Sequence, residues 1–164
     1  MATLNVTHTE SIILNGQQFG NTNTFTVTGI NDIFKRIVSI EAGDDATIAV
    51  FKSTVSIAGG TADTGGDGAL KKANVKYVRV TNLDGSNPVN LSLQLDSDED
   101  NSAANLSMTH LLAAGQSFVM GVVDEAAHAD DDAAAIVTSL TDVESILIDP
   151  GSNAVKLEIL VAST

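Results

Sequence analysis

The sequence predicts an all-β fold, an antiparallel β-sandwich or jelly roll of about 8–10 strands with long glycine-rich and acidic loops. Apolar residues recur at every second position in short runs, which is the spacing of a half-buried strand. Turn-forming residues separate these runs, and no segment has the strand and helix alternation of a parallel sheet. We expect one sandwich domain over residues 1–164 with an aliphatic core, because tryptophan is absent and Tyr77 is the single tyrosine.

The first part of the chain contains four predicted strands. Alternation predicts strands over residues 4–14 and 24–29, the first closed by Asn15-Gly16, a pair that suits a tight turn. In residues 33–41 the isoleucine spacing also fits one face of a helix, but the β-branched residues favour a short turn followed by a strand. A turn with two aspartates then leads to a further strand over residues 46–57.

The middle of the chain combines a loop with a predicted hairpin. Residues 58–68 hold five glycines and almost nothing that could pack, which predicts a loop. Residues 75–83 and 89–96 both alternate, and Asp, Gly, Ser, Asn and Pro follow one another at 84–88. This arrangement predicts an antiparallel hairpin.

The remaining predicted elements end in a second hairpin. In chain order they are an acidic loop (96–105), a strand (116–123) after a small-residue turn (113–115), a turn of helix within 125–135, and a C-terminal hairpin (143–148 and 154–162) around the turn 149–153.

Charge and cysteine content narrow the partners and the chemistry. Eight Lys and Arg side chains stand against 21 Asp and Glu, so the formal net charge is -13. This field repels nucleic acid and anionic lipid, and we expect neither as a partner. Without cysteine the chain has no disulfide, thiolate metal site or cysteine nucleophile. Residues 1–10 lack the pattern of a signal peptide, which predicts a protein made in the cytoplasm and not secreted.

The sharpest candidate for a metal site is the acidic loop. Asp96, Asp98 and Asp100 alternate as oxygen ligands do at the start of an EF-hand calcium loop. However, Asn101 stands where that loop needs glycine, and Ser107 stands where it needs glutamate. An EF-hand is therefore excluded, and the two remaining interpretations are a calcium site of another kind and a solvated acidic loop.

One basic patch stands out on the acidic chain. Lys71, Lys72, Lys76 and Arg79 are half of the basic residues and fall within nine positions. They are candidates for contact with an acidic neighbouring protein, since charge steers and orients partners. The alternative is a solvated strand edge that discourages unwanted pairing.

No catalytic constellation is visible in the sequence. His8, His110 and His128 are the available imidazole bases, and no Gly-x-Ser-x-Gly elbow accompanies them. The 21 carboxylates allow so many pairs that their abundance does not indicate a hydrolytic site. We therefore expect no enzymatic activity and no cofactor other than calcium.

Two segments carry a resemblance to a known class of protein. Residues 77–95 (YVRVTNLDGSNPVNLSLQL) and 112–120 (LAAGQSFVM) resemble a pattern in small virion proteins of tailed bacteriophages. There, a strand ending in Thr-Asn-Leu-Asp turns into an apolar strand, and an Ala-Gly-Gln turn introduces the next one. The resemblance covers about a third of the chain.

The resemblance implies a structural role in a virion. It implies a β-sandwich capsid decoration (cement) protein whose partners are the major capsid protein or other virion subunits, with self-association, often as a trimer. Residues 1–14, as a strand or arm, and the loop 58–72 are the expected contact segments. The alternatives are a phage tail or fibre component and a calcium-dependent carbohydrate-binding β-sandwich module.

Overall fold

Strands dominate the structure, as the alternating sequence predicts. It is a computed structural model, and it describes residues 1–53, 55, 69–95, 106–129, 137 and 139–164. The strands of the described residues are β1 (Ala2–Thr9), β2 (Ile13–Leu14), β3 (Gln17–Gln18), β4 (Thr22–Ile30), β5 (Asp32–Ile40), β6 (Ala46–Lys52), β7 (Leu70–Lys71), β8 (Val75–Asn82), β9 (Val89–Leu95), β10 (Leu106–Leu112), β11 (Ser117–Met120), β12 (Val143–Asp149) and β13 (Val155–Ser163). A single turn of 3-10 helix, Lys72–Asn74, precedes β8.

Eight of the strands form two sheets that share one core. The first sheet has the order β5-β13-β8-β11, and the second has the order β6-β12-β9-β10, with the short β7 added in parallel beside β6. Among these eight, strands that are consecutive in the chain lie in opposite sheets, except for the antiparallel pair β9 and β10. This order is that of a jelly roll, and the predicted all-β fold is confirmed.

The core lies between the two sheets, and its buried side chains among the described residues are aliphatic apart from Phe51, with Phe34 and Phe118 packed at its margin. Alternate residues of the central strands β8, β9, β12 and β13 point into it, which is the reason for the period of two in their sequences. Its largest fully buried side chains are Phe51, Leu91, Leu93, Leu95, Leu112, Ile146, Ile148, Leu157, Ile159, Val75, Val78 and Val80.

Both hairpins predicted around the Asp-rich turns are wrong. β8 pairs with β11 and β13, whereas β9 pairs with β10 and β12, so residues 83–88 cross from one sheet to the other. The connection between β12 and β13 crosses in the same way. In both cases the two apolar faces meet across the core, whereas a hairpin would place them side by side on one face of a single sheet.

Smaller differences concern the bounds of elements. Residues 32–40 form one continuous strand with no turn before Phe34. The strand predicted over 46–57 ends at Lys52, and residues 54 and 56–68 lie outside the described residues. No helix forms over the described residues 125–129, while residues 130–135 are not described.

Candidate functional site

Residues 2–30 form a hairpin arm whose strands pair with each other and with neither of the two sheets. β1 and β4 pair antiparallel over their whole lengths, from Ala2 opposite Ile30 to Thr9 opposite Thr22. The hydrogen bond from the backbone N–H of Glu10 to the carbonyl of Asn21, 2.7 Å, carries the pairing toward β2 and β3. The predicted first strand is therefore divided into β1 and β2. β1 pairs with the predicted second strand, whereas β2 pairs with β3.

One face of the arm is a ladder of hydroxyl and amide side chains. The hydroxyl oxygens of Thr7 and Thr24 lie 3.0 Å apart, and the hydroxyl of Thr26 donates to Oδ1 of Asn5 at 3.0 Å. These cross-strand pairs follow from the alternation of threonine with apolar residues in both strands. This face is polar and carries no charged side chain. Its threonine and asparagine side chains are exposed to solvent.

The opposite face fixes the base of the arm to the first sheet. Leu4, Val6 and Val27 pack against a small cluster whose buried members are Ile30 of the arm, Tyr77 and Ala162. Tyr77 is on β8 but points away from the main core, and this explains why β8 is buried on both faces. The arm therefore has its own apolar anchor, separate from the jelly-roll core.

The far end of the arm exposes large apolar side chains. Ile12, Ile13, Leu14 and Phe19 are 56%, 71%, 56% and 59% exposed. We call these four residues the arm tip. The sequence predicts a half-buried strand here, but the tip extends beyond the anchor, so its apolar side chains have no core to enter. Several exposed apolar side chains within one short hairpin are typical of a contact with another protein.

Local geometry holds the arm tip in shape. Asn15 and Gly16 have φ values of 51° and 78°, as a tight two-residue hairpin turn requires. A Cβ atom on Gly20 would lie 2.0 Å from the carbonyl oxygen of Glu10, so the two strands cross too closely there for any side chain. The tip is thus a defined turn that the sequence encodes at Asn15, Gly16 and Gly20.

A small charged cluster lies on the outer face of the first sheet. Nζ of Lys35 lies 3.0 Å from Oε2 of Glu158, and Nη2 of Arg79 bonds to Oε1 of the same carboxylate. The hydrogen bond and charge of Lys35, together with those of Arg79, outweigh desolvation and hold the pKa of Glu158 below its ordinary value of 4.5.

Glu158 should therefore lose its stabilising effect in acid. A folded-state pKa below the unfolded one means that the stabilisation is present near neutral pH and is lost as the pH falls through the folded pKa. We expect wild type to be more stable than Glu158→Gln near neutral pH and the difference to shrink toward zero below about pH 4. Urea unfolding of both proteins across this range measures it. A difference that stays constant down to pH 3 would contradict the assignment.

The predicted basic patch is divided among different roles. Lys72 forms an ion pair with Asp142, and Arg79 bonds to Glu158, while Nζ of Lys76 donates to the carbonyl of Ala73 at 3.1 Å. Lys71 is exposed on the edge strand β7. Protein contact through these residues stays a prediction, and the structure adds that two of them are neutralised within the chain.

Asp142 joins the segment after β11 to the start of β8. Partial burial alone would raise its pKa, but the Lys72 side chain and the backbone N–H of Glu125, 2.7 Å from Oδ1, outweigh burial and lower the pKa of Asp142. The ion pair between Lys72 and Asp142 connects two loops of the same chain. Lys72 is one of the four basic residues that we predicted to contact a partner.

A buried asparagine joins two of the crossings between the sheets. Asn82 is fully buried; its Nδ2 donates to the carbonyls of Asn87 (2.8 Å) and Leu112 (3.3 Å), and its Oδ1 accepts from the N–H of Asp84 (2.9 Å). Its own N–H bonds to the carbonyl of Gln116 at 2.9 Å. Residues 77–95 and 112–120 are therefore in direct contact here.

Asp84 completes this junction. Its Oδ1 accepts from the N–H groups of Asn87 and Ser86, at 2.7 and 2.8 Å. These two backbone hydrogen bonds, the one from Asn87 first, lower the pKa of the Asp84 carboxyl. The Thr-Asn-Leu-Asp sequence thus encodes a sheet-to-sheet crossing, and no signal in it distinguishes this from the hairpin that we predicted.

The structure describes the candidate catalytic histidines but not the candidate metal ligands. Asp96, Asp98 and Asp100 lie outside the described residues, so the calcium site stays a prediction. His8 stacks on Phe25 of the arm, and His110 lies against Phe118, with ring centroids 6.3 and 5.9 Å apart. His128 lies beyond β11, and Nδ1 of its ring is buried with no hydrogen-bond partner in the described parts of the chain.

The described residues contain neither a cluster of metal-binding side chains nor a membrane-spanning helix. No group of three or more His, Cys, Asp or Glu side chains there could hold a metal ion. The same ranges contain no helix long and apolar enough to cross a membrane. Shallow open grooves lie on the outer face of the second sheet, one of them lined by Asn90, Leu111 and Asp149.

Comparisons with known proteins leave the family open. No family model and no curated protein matches the chain. Among solved structures, a chain from the work described as "Bacillus endospore appendages form a novel family of disulfide-linked pili" is similar to it. The identity is 14%, the match covers 84% of this chain and 93% of that one, and the TM-score is 0.36. This likeness is too low to bear on function.

Proposed function

We propose that this chain is a structural virion protein, a capsid decoration (cement) protein that binds the outside of a tailed-phage head and stabilises it through protein-protein contacts. It is made in the host cytoplasm and taken up into the virion, and its role is assembly without catalysis. The resemblance of residues 77–95 and 112–120 to such proteins suggests the class. The observation that carries the proposal is the anchored arm with an exposed apolar tip.

The arm has the parts that a subunit contact needs. Its base is fixed by Tyr77, so the tip is presented at a defined place and loses little conformational freedom on binding. The tip offers isoleucine, leucine and phenylalanine side chains at one point, the kind of apolar centre that dominates protein interfaces. The acidic remainder of the molecule keeps the subunit soluble before assembly.

The test is binding to expanded heads of the source phage that lack this chain. Wild type is expected to cosediment with the heads in a fixed ratio and to raise the temperature at which they open. Ile13→Ser/Phe19→Ser is expected to weaken binding more than about tenfold, because each lost apolar anchor costs about 1–2 kcal/mol.

A matched variant separates the arm tip from general surface hydrophobicity. Ile37 on β5 is 59% exposed, as Phe19 is, but lies on the outer face of the first sheet. Ile37→Ser should bind heads as wild type does. Failure of wild type to bind heads at any salt concentration would refute the decoration role, and equal binding by the tip variant would refute the role of the arm.

A further inference from the structure

The arm is almost free of charge on a strongly acidic molecule. Residues 1–31 contain Glu10 as their single ionised Asp, Glu, Lys or Arg, whereas the whole chain has 21 acidic and 8 basic side chains. The segment from Ser11 to Asn31, which includes the tip and all of β4, has none. Residues 32–164 therefore carry -12 of the net charge of -13.

A second stretch of the chain is equally free of charge. Residues 106–123 contain no Asp, Glu, Lys or Arg, and they include β10 and β11, which end the two sheets on the same side of the sandwich. β10 is an edge strand, and it exposes 39% of Met108 and 59% of Leu111. Among the described strands, β10 pairs on one side alone, so backbone groups of its other side lie beside accessible apolar side chains.

The opposite edges of the sandwich are protected in the usual way. The edge strand β5 carries Lys35 and Arg36, and the edge strand β7 is two residues long and includes Lys71. Charged side chains and short edge strands prevent association with other chains. In the part of the chain that the structure describes, β10 has neither protection and is open to contact with another chain.

We propose that the arm tip of one copy of this chain binds along the β10 edge of a second copy, beside Met108 and Leu111. The inference rests on the proposed function in treating the arm as an assembly element. It assigns the tip contact to a neighbouring copy, so the tip acts in head binding through association between copies. Two copies that each carry -13 repel one another over most of their surfaces. Contact is favoured where both partners are uncharged and apolar, and the tip and β10 are two such regions.

The positions of the arm and of β10 favour a contact between two molecules over a contact within one. The base of the arm is fixed on the outer face of the first sheet, whereas β10 ends the second sheet. The tip side chains remain more than half exposed in the isolated chain, so its own body does not cover them. Because donor and acceptor surfaces differ, repeated contacts generate a closed ring or an open chain of copies.

The absence of native cysteine allows a direct test. A chain with Ile13→Cys is mixed with a chain carrying Leu111→Cys, and a short bismaleimide reagent links cysteines that lie close together. We expect about tenfold more covalent heterodimer than from Ile13→Cys mixed with Ile37→Cys, an equally exposed control site. The yield should rise with salt, which screens the repulsion between acidic copies.

The outcomes separate this inference from the decoration role. Equal yields at Leu111 and at Ile37 would overturn the inference, even if wild type binds heads. Selective linkage at Leu111 with no binding to heads would support the inference and overturn the decoration role. Thermal unfolding of each single-cysteine protein, expected to match wild type because all three sites are exposed, confirms that the comparison is made between folded chains.

Discussion

Replacing Asn82 with alanine is expected to lower the free energy of unfolding by about 3 kcal/mol, because it removes three hydrogen bonds in a buried site and leaves polar groups there without partners. For a chain of this size, the melting temperature should fall by about 6–12 °C. Nδ2 and Oδ1 of Asn82 join the crossing after β8 to the end of β10. Chemical and thermal unfolding both measure the change.

The control for this prediction lies in the connection between β12 and β13, which also crosses between the sheets. Asn153 is exposed in the turn between β12 and β13, and its side chain bonds to the hydroxyl of Ser152 at 3.4 Å. Asn153→Ala should change stability by less than about 0.5 kcal/mol. If Asn82→Ala were as mild as Asn153→Ala, the buried junction would not be what holds the two crossings together.

Replacing Tyr77 with alanine is expected to release the arm while leaving the jelly roll folded. The ring is 4% exposed and lies in the cluster that Leu4, Val6 and Val27 of the arm cover. Loss of a buried aromatic ring costs about 3–5 kcal/mol, and here that cost falls on the attachment of the arm. Backbone N–H groups of β1 and β4 should then exchange with solvent at least tenfold faster, as about 1.4 kcal/mol of lost protection already gives this factor.

Hydrogen exchange by segment distinguishes local from global loss. Strands β9 and β12, in the middle of the second sheet, should keep the exchange rates of wild type, apart from any change in global unfolding. Tyr77→Phe keeps the ring and should leave the arm protected. Equal acceleration in the arm and in β9 would show that the arm and the jelly roll unfold together, which contradicts a separate anchor.

The buried junction at Asn82 lies within residues 77–95 and 112–120, the segments on which the expected resemblance rests. Thr-Asn-Leu-Asp ends β8 with a buried asparagine and a capping aspartate, and the Ala-Gly-Gln turn supplies the carbonyl of Gln116 that Asn82 needs. These residues hold the fold, and the residues that we assign to assembly lie in the arm. A resemblance carried by such structural residues indicates the architecture more directly than the partner.

Alternation in the sequence determined the class of fold, the positions of most strands along the chain and most of the buried residues. The reason is that a period of two places every second side chain on the same face. It did not determine which strands pair. The alternating apolar residues of β8 and β9 are compatible both with a hairpin in one sheet and with a crossing between two sheets. The pairing depends on which surface covers these residues. The apolar face of β8 and that of β9 are fully buried only when the two sheets pack against each other.

The arm also depends on both the local sequence and the tertiary structure. The sequence determined two alternating strands, the Asn15-Gly16 turn and a segment without charge. Only the tertiary structure decided that these strands pair with each other, that Tyr77 of a distant strand anchors them, and that the tip is left exposed. Burial is a property of the whole assembly of strands, so local periodicity identifies an apolar side chain but not the surface that covers it.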